Sequence, residues 1–118
     1  ISVVSDQMGS PTYAADLAEV ILKIINNANY RNKKQPTEIY HYSNKGVVSW
    51  YDFTKEIFKI TKTSCKTNPI TTEQYLTTAN RPKNTAMNKD KIMRTFDVRI
   101  SDWSVRLNTC ITILKSKI

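Results

Sequence analysis

The sequence has 118 residues, of which 40% are hydrophobic and 24% charged, and this composition is typical of a single folded domain of modest size. No run of about 18 apolar residues is present, so we expect no membrane partner, and Cys65 and Cys110 have neither the number nor the spacing of a disulfide framework or a zinc site. The net charge of +8 favours anionic partners, but the lysines are scattered and not interleaved with aromatic residues, so we interpret most of this charge as solvated surface.

The first predicted elements are a short strand at "ISVV" and a loop at "DQMGSPT". Because the sequence begins with Ile1 and not with a methionine, we expect a fragment of a longer protein. A helix is predicted from Tyr13 to about Ala28, with Thr12 as its N-cap and Asp16 in its first turns, where the helix dipole favours a negative charge. Its apolar residues form one stripe at helical spacing: Ala14, Leu17, Ala18, Ile21, Leu22 and Ile25.

The middle of the chain alternates strands with a helix. "EIYHYSN" predicts a strand of about five residues, turned by Asn44-Lys45-Gly46. Ser49 and Asp52 form a capping signature, which predicts a helix from Trp50 to about Thr61. "NPITT" then predicts a second short extended piece.

Two further helices are predicted in the last third. Asn88 is the predicted cap of a short helix through Arg94, and Ser101 or Asp102 caps a final helix. One apolar face of that helix is formed by Trp103, Leu107, Cys110, Ile111 and Leu114. The fold class is therefore α/β, with few short strands and about four helices.

Tyr51 and Lys55 satisfy the Tyr-x-x-x-Lys pattern of short-chain dehydrogenases, in which the lysine lowers the pKa of a catalytic tyrosine. The spacing places both on one helical face. Two residues are a weak signal, however, and Tyr30 with Lys34 repeats it. We therefore assign no catalytic role to Tyr51.

The stretch "NRPKN" combines residue types that suit an anion. Arg81 carries a planar fork of donors, and Pro82 restrains the backbone beside it. Asn84 and Thr85 add neutral donors, and Lys83 a second charge. On these residues alone, anion binding and an ordinary solvent-exposed loop with a surface ion pair both remain open. With only two glycines in the chain, a glycine-rich dinucleotide loop is excluded here.

Four stretches in order, "VVSDQMGSPTYAADLAEVI", "IYHYSNKGVVSWYDFTKEIF", "PITTEQYLTTANRPKNTAMNKDKI" and "DWSVRL", resemble the C-terminal part of the dTDP-4-dehydrorhamnose reductase family. These are extended short-chain dehydrogenase/reductases of the Rossmann type. The resemblance implies reduction of dTDP-4-dehydro-L-rhamnose to dTDP-L-rhamnose, for cell-surface polysaccharide, with NADPH or NADH. It also implies that the cofactor is bound mainly by a missing N-terminal Rossmann portion.

The resemblance also implies roles for individual residues. Arg81 with Pro82 is similar to the Arg-Pro element that holds the diphosphate of a dTDP-sugar, and Gln7, Asn84 and Thr12 are expected beside the substrate. Trp50, Phe53 and Trp103 match positions that we interpret as core. No catalytic or metal-binding residue is expected in this chain. Leu76 departs from the family, in which a proline commonly follows the tyrosine.

We expect residues 1–45 to complete the sheet of the cofactor domain and residues 46–118 to form the substrate domain, in a cytoplasmic protein that does not bind nucleic acid. A homodimer stays open. The alternatives are another extended-family sugar-nucleotide reductase or epimerase, a non-catalytic regulatory relative, and nucleic-acid binding through the positive charge.

Overall fold

The computed structural model describes residues 1–28 and 37–117. In this part of the chain, four helices and four short strands confirm the predicted α/β class. In chain order they are β1 (Ser2–Val4), β2 (Met8–Gly9), α1 (Ala14–Ile25), β3 (Val48–Ser49), α2 (Trp50–Thr61), β4 (Asn68–Ile70), α3 (Asp90–Phe96) and α4 (Trp103–Ser116).

The strands form two small sheets. β1 pairs in parallel with β4, with Val4 opposite Ile70, so the predicted extended piece at "NPITT" is confirmed. β2 pairs antiparallel with β3, with Met8 opposite Ser49. Because β3 leads directly into α2, this second pairing places the loop at 5–10 beside the beginning of that helix.

The predicted helix from Trp50 to Thr61 is confirmed at both ends. The Ser49 hydroxyl accepts a hydrogen bond from the Asp52 N–H at 3.0 Å and donates to the Asp52 carboxylate at 2.7 Å. The side chains at the cap therefore satisfy an otherwise unpaired donor of the first turn, as the sequence signature requires.

Helix α1 differs from its prediction in its cap and in its buried side. Tyr13, not Thr12, is the N-cap, and its backbone N–H donates to the Asn44 side chain at 2.7 Å. The helix ends at Ile25, before the predicted Ala28. It is the side formed by Asp16, Val20 and Ile24 that packs on the body of the chain, whereas most of the predicted apolar stripe is exposed.

The predicted strand at 38–44 is wrong. No strand in the described part of the chain pairs with these residues, and a strand exists only as part of a ladder. The turn that follows, at Asn44-Lys45-Gly46, is held by hydrogen bonds to the residues at the beginning of α4. Lys45 forms an isolated bridge with Asp102, through Lys45 N–H to the Ser101 carbonyl at 2.9 Å and Trp103 N–H to the Lys45 carbonyl at 3.0 Å.

The last two helices are confirmed with small shifts. Lys89, not Asn88, is the N-cap of α3, although the Asn88 side chain accepts from the Asp90 N–H at 2.8 Å. This helix continues past Arg94 because Phe96 completes its buried side. Asp102 caps α4 by accepting from the Ser104 N–H at 3.0 Å. None of the described helices is long and apolar enough to cross a lipid bilayer.

The core packs α1 and α3 together with the chain segments at 40–42 and 98–100. Val20, Ile92, Phe96 and Val98 are buried together, and the rings of Tyr40 and Phe96 pack in a T-shaped arrangement with their centroids 5.0 Å apart. A separate aromatic contact joins α2 to α4, where the rings of Phe53 and Trp103 lie 5.7 Å apart. This arrangement leaves the segment 72–88 outside both packed regions.

Candidate functional site

The segment 72–85, called the strap here, is tied at its first end to the loop after β1. The Asp6 carboxylate accepts hydrogen bonds from the Thr72 N–H at 2.8 Å and the Thr72 hydroxyl at 2.7 Å. The hydroxyl of Thr72 also accepts from the Gln7 side-chain amide at 3.3 Å. The two bonds from Thr72 to the carboxylate, that of the hydroxyl first, lower the pKa of Asp6 below its ordinary value.

The second end of the strap is tied to β2. The Met8 N–H donates to the Lys83 carbonyl at 2.8 Å, and the Thr85 N–H donates to the Met8 carbonyl at 2.9 Å. The Thr85 hydroxyl reaches the same carbonyl at 3.1 Å. Both ends of the strap therefore attach to three consecutive residues, 6–8.

Between these ends the strap forms one wall of a cleft of about 260 Å³. Arg81 and Tyr75 come from the strap, Trp50 from the first position of α2, and Gln7 from the loop after β1. The remaining wall is β1, with Ser2, Val3 and Val4. Three separate parts of the sequence thus meet at one concave surface.

The cleft carries the positive charge of one side chain that has no ion-pair partner in the described part of the chain. Arg81 is exposed, and none of the ion pairs in the described residues involves it. Lys83 lies two residues away on the same strap and is also exposed. An arginine with free donors beside aromatic surface can bind an anion attached to a flat ring.

Two of the four predicted substrate residues lie in this cleft, namely Arg81 and Gln7. Asn84 is exposed on the strap, and its side-chain oxygen accepts from the Ala86 N–H at 2.9 Å. Thr12 lines a different cleft of about 100 Å³, which it shares with Phe53, Trp103 and Arg106 among others. The roles of all four stay predictions.

Trp50 and Tyr75 are the residues of this cleft that sequence reasoning missed. The prediction that Trp50 is core is wrong, since half of its surface is exposed, and Tyr75 is exposed to the same extent. Helical side chains point toward the N-terminus, so a residue at the first position of a helix projects past its end. The position of Trp50 directly after the N-cap Ser49 is therefore the sequence signal that could have predicted its exposure.

The Tyr51–Lys55 pair forms as its spacing predicts, with the Lys55 ammonium 5.2 Å from the centroid of the Tyr51 ring. Neither residue is among those that line the cleft of Arg81. The second pair of this spacing, Tyr30 and Lys34, lies outside the described residues.

Comparison with known proteins identifies relatives of the whole described fold. Residues 1–116 match the family described as "RmlD substrate binding domain". A dTDP-4-dehydrorhamnose reductase of Aggregatibacter actinomycetemcomitans is 37% identical over 109 residues, which are 87% of this chain and 37% of that protein. The resemblance seen in the sequence is thereby confirmed.

Solved structures of the same kind of protein share the fold. A dTDP-4-dehydrorhamnose reductase of Clostridium acetobutylicum superimposes with a TM-score of 0.84 at 37% identity, over 98% of this chain and 39% of that one. One from Bacillus anthracis, solved in complex with NADP, gives 0.82 at 35% identity, over 92% and 36%. This chain therefore spans less than two fifths of the length of these relatives.

Proposed function

The chain belongs to the RmlD substrate binding domain family, and from this premise we propose that it is the sugar-nucleotide-binding part of a dTDP-4-dehydrorhamnose reductase. The proposed parent enzyme reduces dTDP-4-dehydro-L-rhamnose to dTDP-L-rhamnose with NADPH. The observation that carries the proposal is an arginine that has no carboxylate partner among the described residues and shares one cleft with two half-exposed aromatic rings. A nucleoside diphosphate presents the two groups that complement them.

In this proposal Arg81 holds the diphosphate, because its guanidinium offers parallel N–H donors that match two phosphate oxygens. Trp50 and Tyr75 contact the faces of the base, since stacking on aromatic rings suits a flat heterocycle. Gln7 is 7% exposed, and its amide nitrogen is engaged with Thr72. Its amide oxygen is then left to accept a hydrogen bond from the ligand.

The contribution of this chain to the reaction is binding and orientation. Contacts to the nucleotide, remote from the reacting carbon, supply binding energy that fixes the sugar in place for the chemistry. The chain by itself is then inactive, because the proton donor and the nicotinamide would be held by the portion of the parent that it lacks.

The residues of this chain do not fit a dinucleotide cofactor. Gly9 and Gly46 are its only glycines, and both face side chains, Thr85 and Trp103 respectively. Neither belongs to a glycine-rich turn of the kind that approaches a pyrophosphate. NADP binding in the parent is therefore assigned to the other portion.

We also propose that residues 1–45 complete the cofactor domain, in a cytoplasmic protein. The exposed stripe of α1, with Ile21, Leu22 and Ile25 between 46% and 58% exposed, offers an apolar surface for another portion of the parent. The segment at 37–44 pairs with no strand in the described part of the chain, so it offers backbone groups for a neighbouring strand. Both cysteines are free thiols, as suits the cytoplasm.

The test of the nucleotide site is a titration of the full-length protein with dTDP. Arg81→Ala should weaken binding by roughly 10- to 100-fold, which corresponds to about 1.5–3 kcal/mol for a charge-assisted hydrogen bond. Arg99→Ala is the matched control, because Arg99 is exposed and is not among the cleft residues. An Arg81→Ala protein with the affinity of the control would overturn the proposal.

A further inference from the structure

We propose that Thr85 is a positioning residue for Arg81, and that Gly9 has no side chain because Thr85 occupies the space that one would need. The proposal rests on the function proposed for the cleft and adds the contact that sets the position of Arg81 in it. Neither residue contacts the ligand. Their role is to fix where the strap stands relative to β2.

Arg81 needs a positioning contact because the segment that carries it has little buried surface. Residues 73–88 are all exposed, so apolar packing contributes little to ordering the strap. Its position depends on the hydrogen bonds at its two ends. The second end is the nearer one, since Lys83, whose carbonyl accepts from Met8, is two residues from Arg81. Pro82 between them limits the backbone freedom that separates the tie from the guanidinium.

Thr85 closes this end with two bonds to a single acceptor. Its N–H and its hydroxyl donate to the Met8 carbonyl at 2.9 and 3.1 Å. The hydroxyl bond requires one particular rotamer of a β-branched side chain. The tie is therefore sensitive to anything that turns the Thr85 side chain.

Gly9 follows Met8 and faces that side chain. A Cβ atom added at Gly9 would lie 2.7 Å from the Thr85 hydroxyl oxygen. The φ angle of Gly9 is outside the left-handed region, so an alanine would meet no backbone strain there. It would either turn the hydroxyl away from Met8 or push the strap off β2. Both outcomes displace Arg81 without removing any group that contacts the ligand.

The experiment compares dTDP binding and steady-state kinetics of four variants of the full-length protein. Gly9→Ala and Thr85→Ala should each weaken dTDP binding by roughly 3- to 10-fold. The double variant should bind no more weakly than Thr85→Ala alone, because the hydroxyl oxygen that the added methyl group would meet is gone. Thr85→Ser retains the hydroxyl and should bind within about twofold of the wild type.

Two readouts separate positioning from a general loss of structure. KM for the sugar nucleotide should rise in Gly9→Ala while kcat at saturation stays near the wild-type value. Amide hydrogen exchange in residues 82–86 should accelerate in Thr85→Ala without ligand, with the helices unchanged.

Each contrary outcome has a distinct meaning. If Arg81→Ala weakens binding but the Gly9 and Thr85 variants do not, the positioning proposal falls and the nucleotide site stands. Multiplicative losses in the double variant would also overturn it, since they would show two independent effects. If Arg81→Ala has no effect, the proposed function fails. The hydrogen exchange then still tests the tie, and unchanged exchange in Thr85→Ala refutes it.

Discussion

The Arg106 side chain donates through Nε to the carboxylate of Asp16 at 2.8 Å and so joins α4 to α1 across 90 positions of the sequence. The Asn44 amide donates to the same oxygen at 2.8 Å, and its own oxygen accepts from the Tyr13 N–H. Asn44 is 1% exposed and Asp16 7%. One buried carboxylate thus connects both helices to the turn that leads toward α2.

Replacing Arg106 with leucine should destabilise the protein by about 2 kcal/mol, because the buried carboxylate loses its cation. The expected loss is below the range for a fully buried pair, since the Arg106 side chain is 32% exposed and partly screened by solvent. Urea unfolding of the full-length protein measures it. Arg99→Leu, which makes the same change at an exposed position, should change stability by less than about 0.5 kcal/mol. Equal effects of the two substitutions would show that the pair contributes nothing.

Elements held by interactions between residues close in sequence could be predicted, whereas those held by residues far apart in sequence could not. Helix α2 was predicted at both ends because the Ser49–Asp52 cap lies within four residues of sequence. Asp16 was interpreted as a dipole-favoured residue, whereas it is buried by partners 28 and 90 positions away. No local pattern carries that information.

The apolar stripe of α1 leads to a second prediction. Leu22 is 58% exposed in this chain, and we propose that another portion of the parent covers it. Leu22→Lys in the full-length protein should then lower the unfolding free energy by about 2 kcal/mol, because a buried methyl-rich side chain is replaced by a charge. Thermal unfolding followed by calorimetry measures the change.

The control for the stripe is Glu19→Gln on the same helix, where an exposed polar residue is replaced by another. It should shift the transition by less than about 0.5 kcal/mol. A Leu22→Lys protein as stable as this control would mean that the stripe faces solvent in the parent as well.

The candidate site was predictable only where residue type carried the chemistry. Arg81 with Pro82 stood out by its donors and its restrained backbone, and the family resemblance strengthened it. The ties of the strap did not stand out, since the Met8 and Lys83 backbones pair regardless of side chain. Trp50 was assigned to the core because an aromatic residue beside apolar neighbours has the same pattern in a core and in a ligand cleft.

The bonds between Asp6 and Thr72 predict a pH dependence of stability. They lower the pKa of Asp6 in the folded protein below its ordinary value of 3.8. A depressed pKa means that the folded state favours the charged carboxylate. The stabilisation is therefore fully present above the unfolded pKa and is lost as the pH falls through the lower, folded value.

We expect the difference in unfolding free energy between wild type and Asp6→Asn to be largest above about pH 5 and to shrink as the pH is lowered below 3.8. Chemical denaturation of the full-length proteins at a series of pH values measures this difference. Glu73→Gln, which neutralises an exposed carboxylate next to Thr72, should give a difference that is small at every pH. A gap between wild type and Asp6→Asn that stays constant to the lowest pH would show that hydrogen bonding to the ionised carboxylate does not hold the first end of the strap.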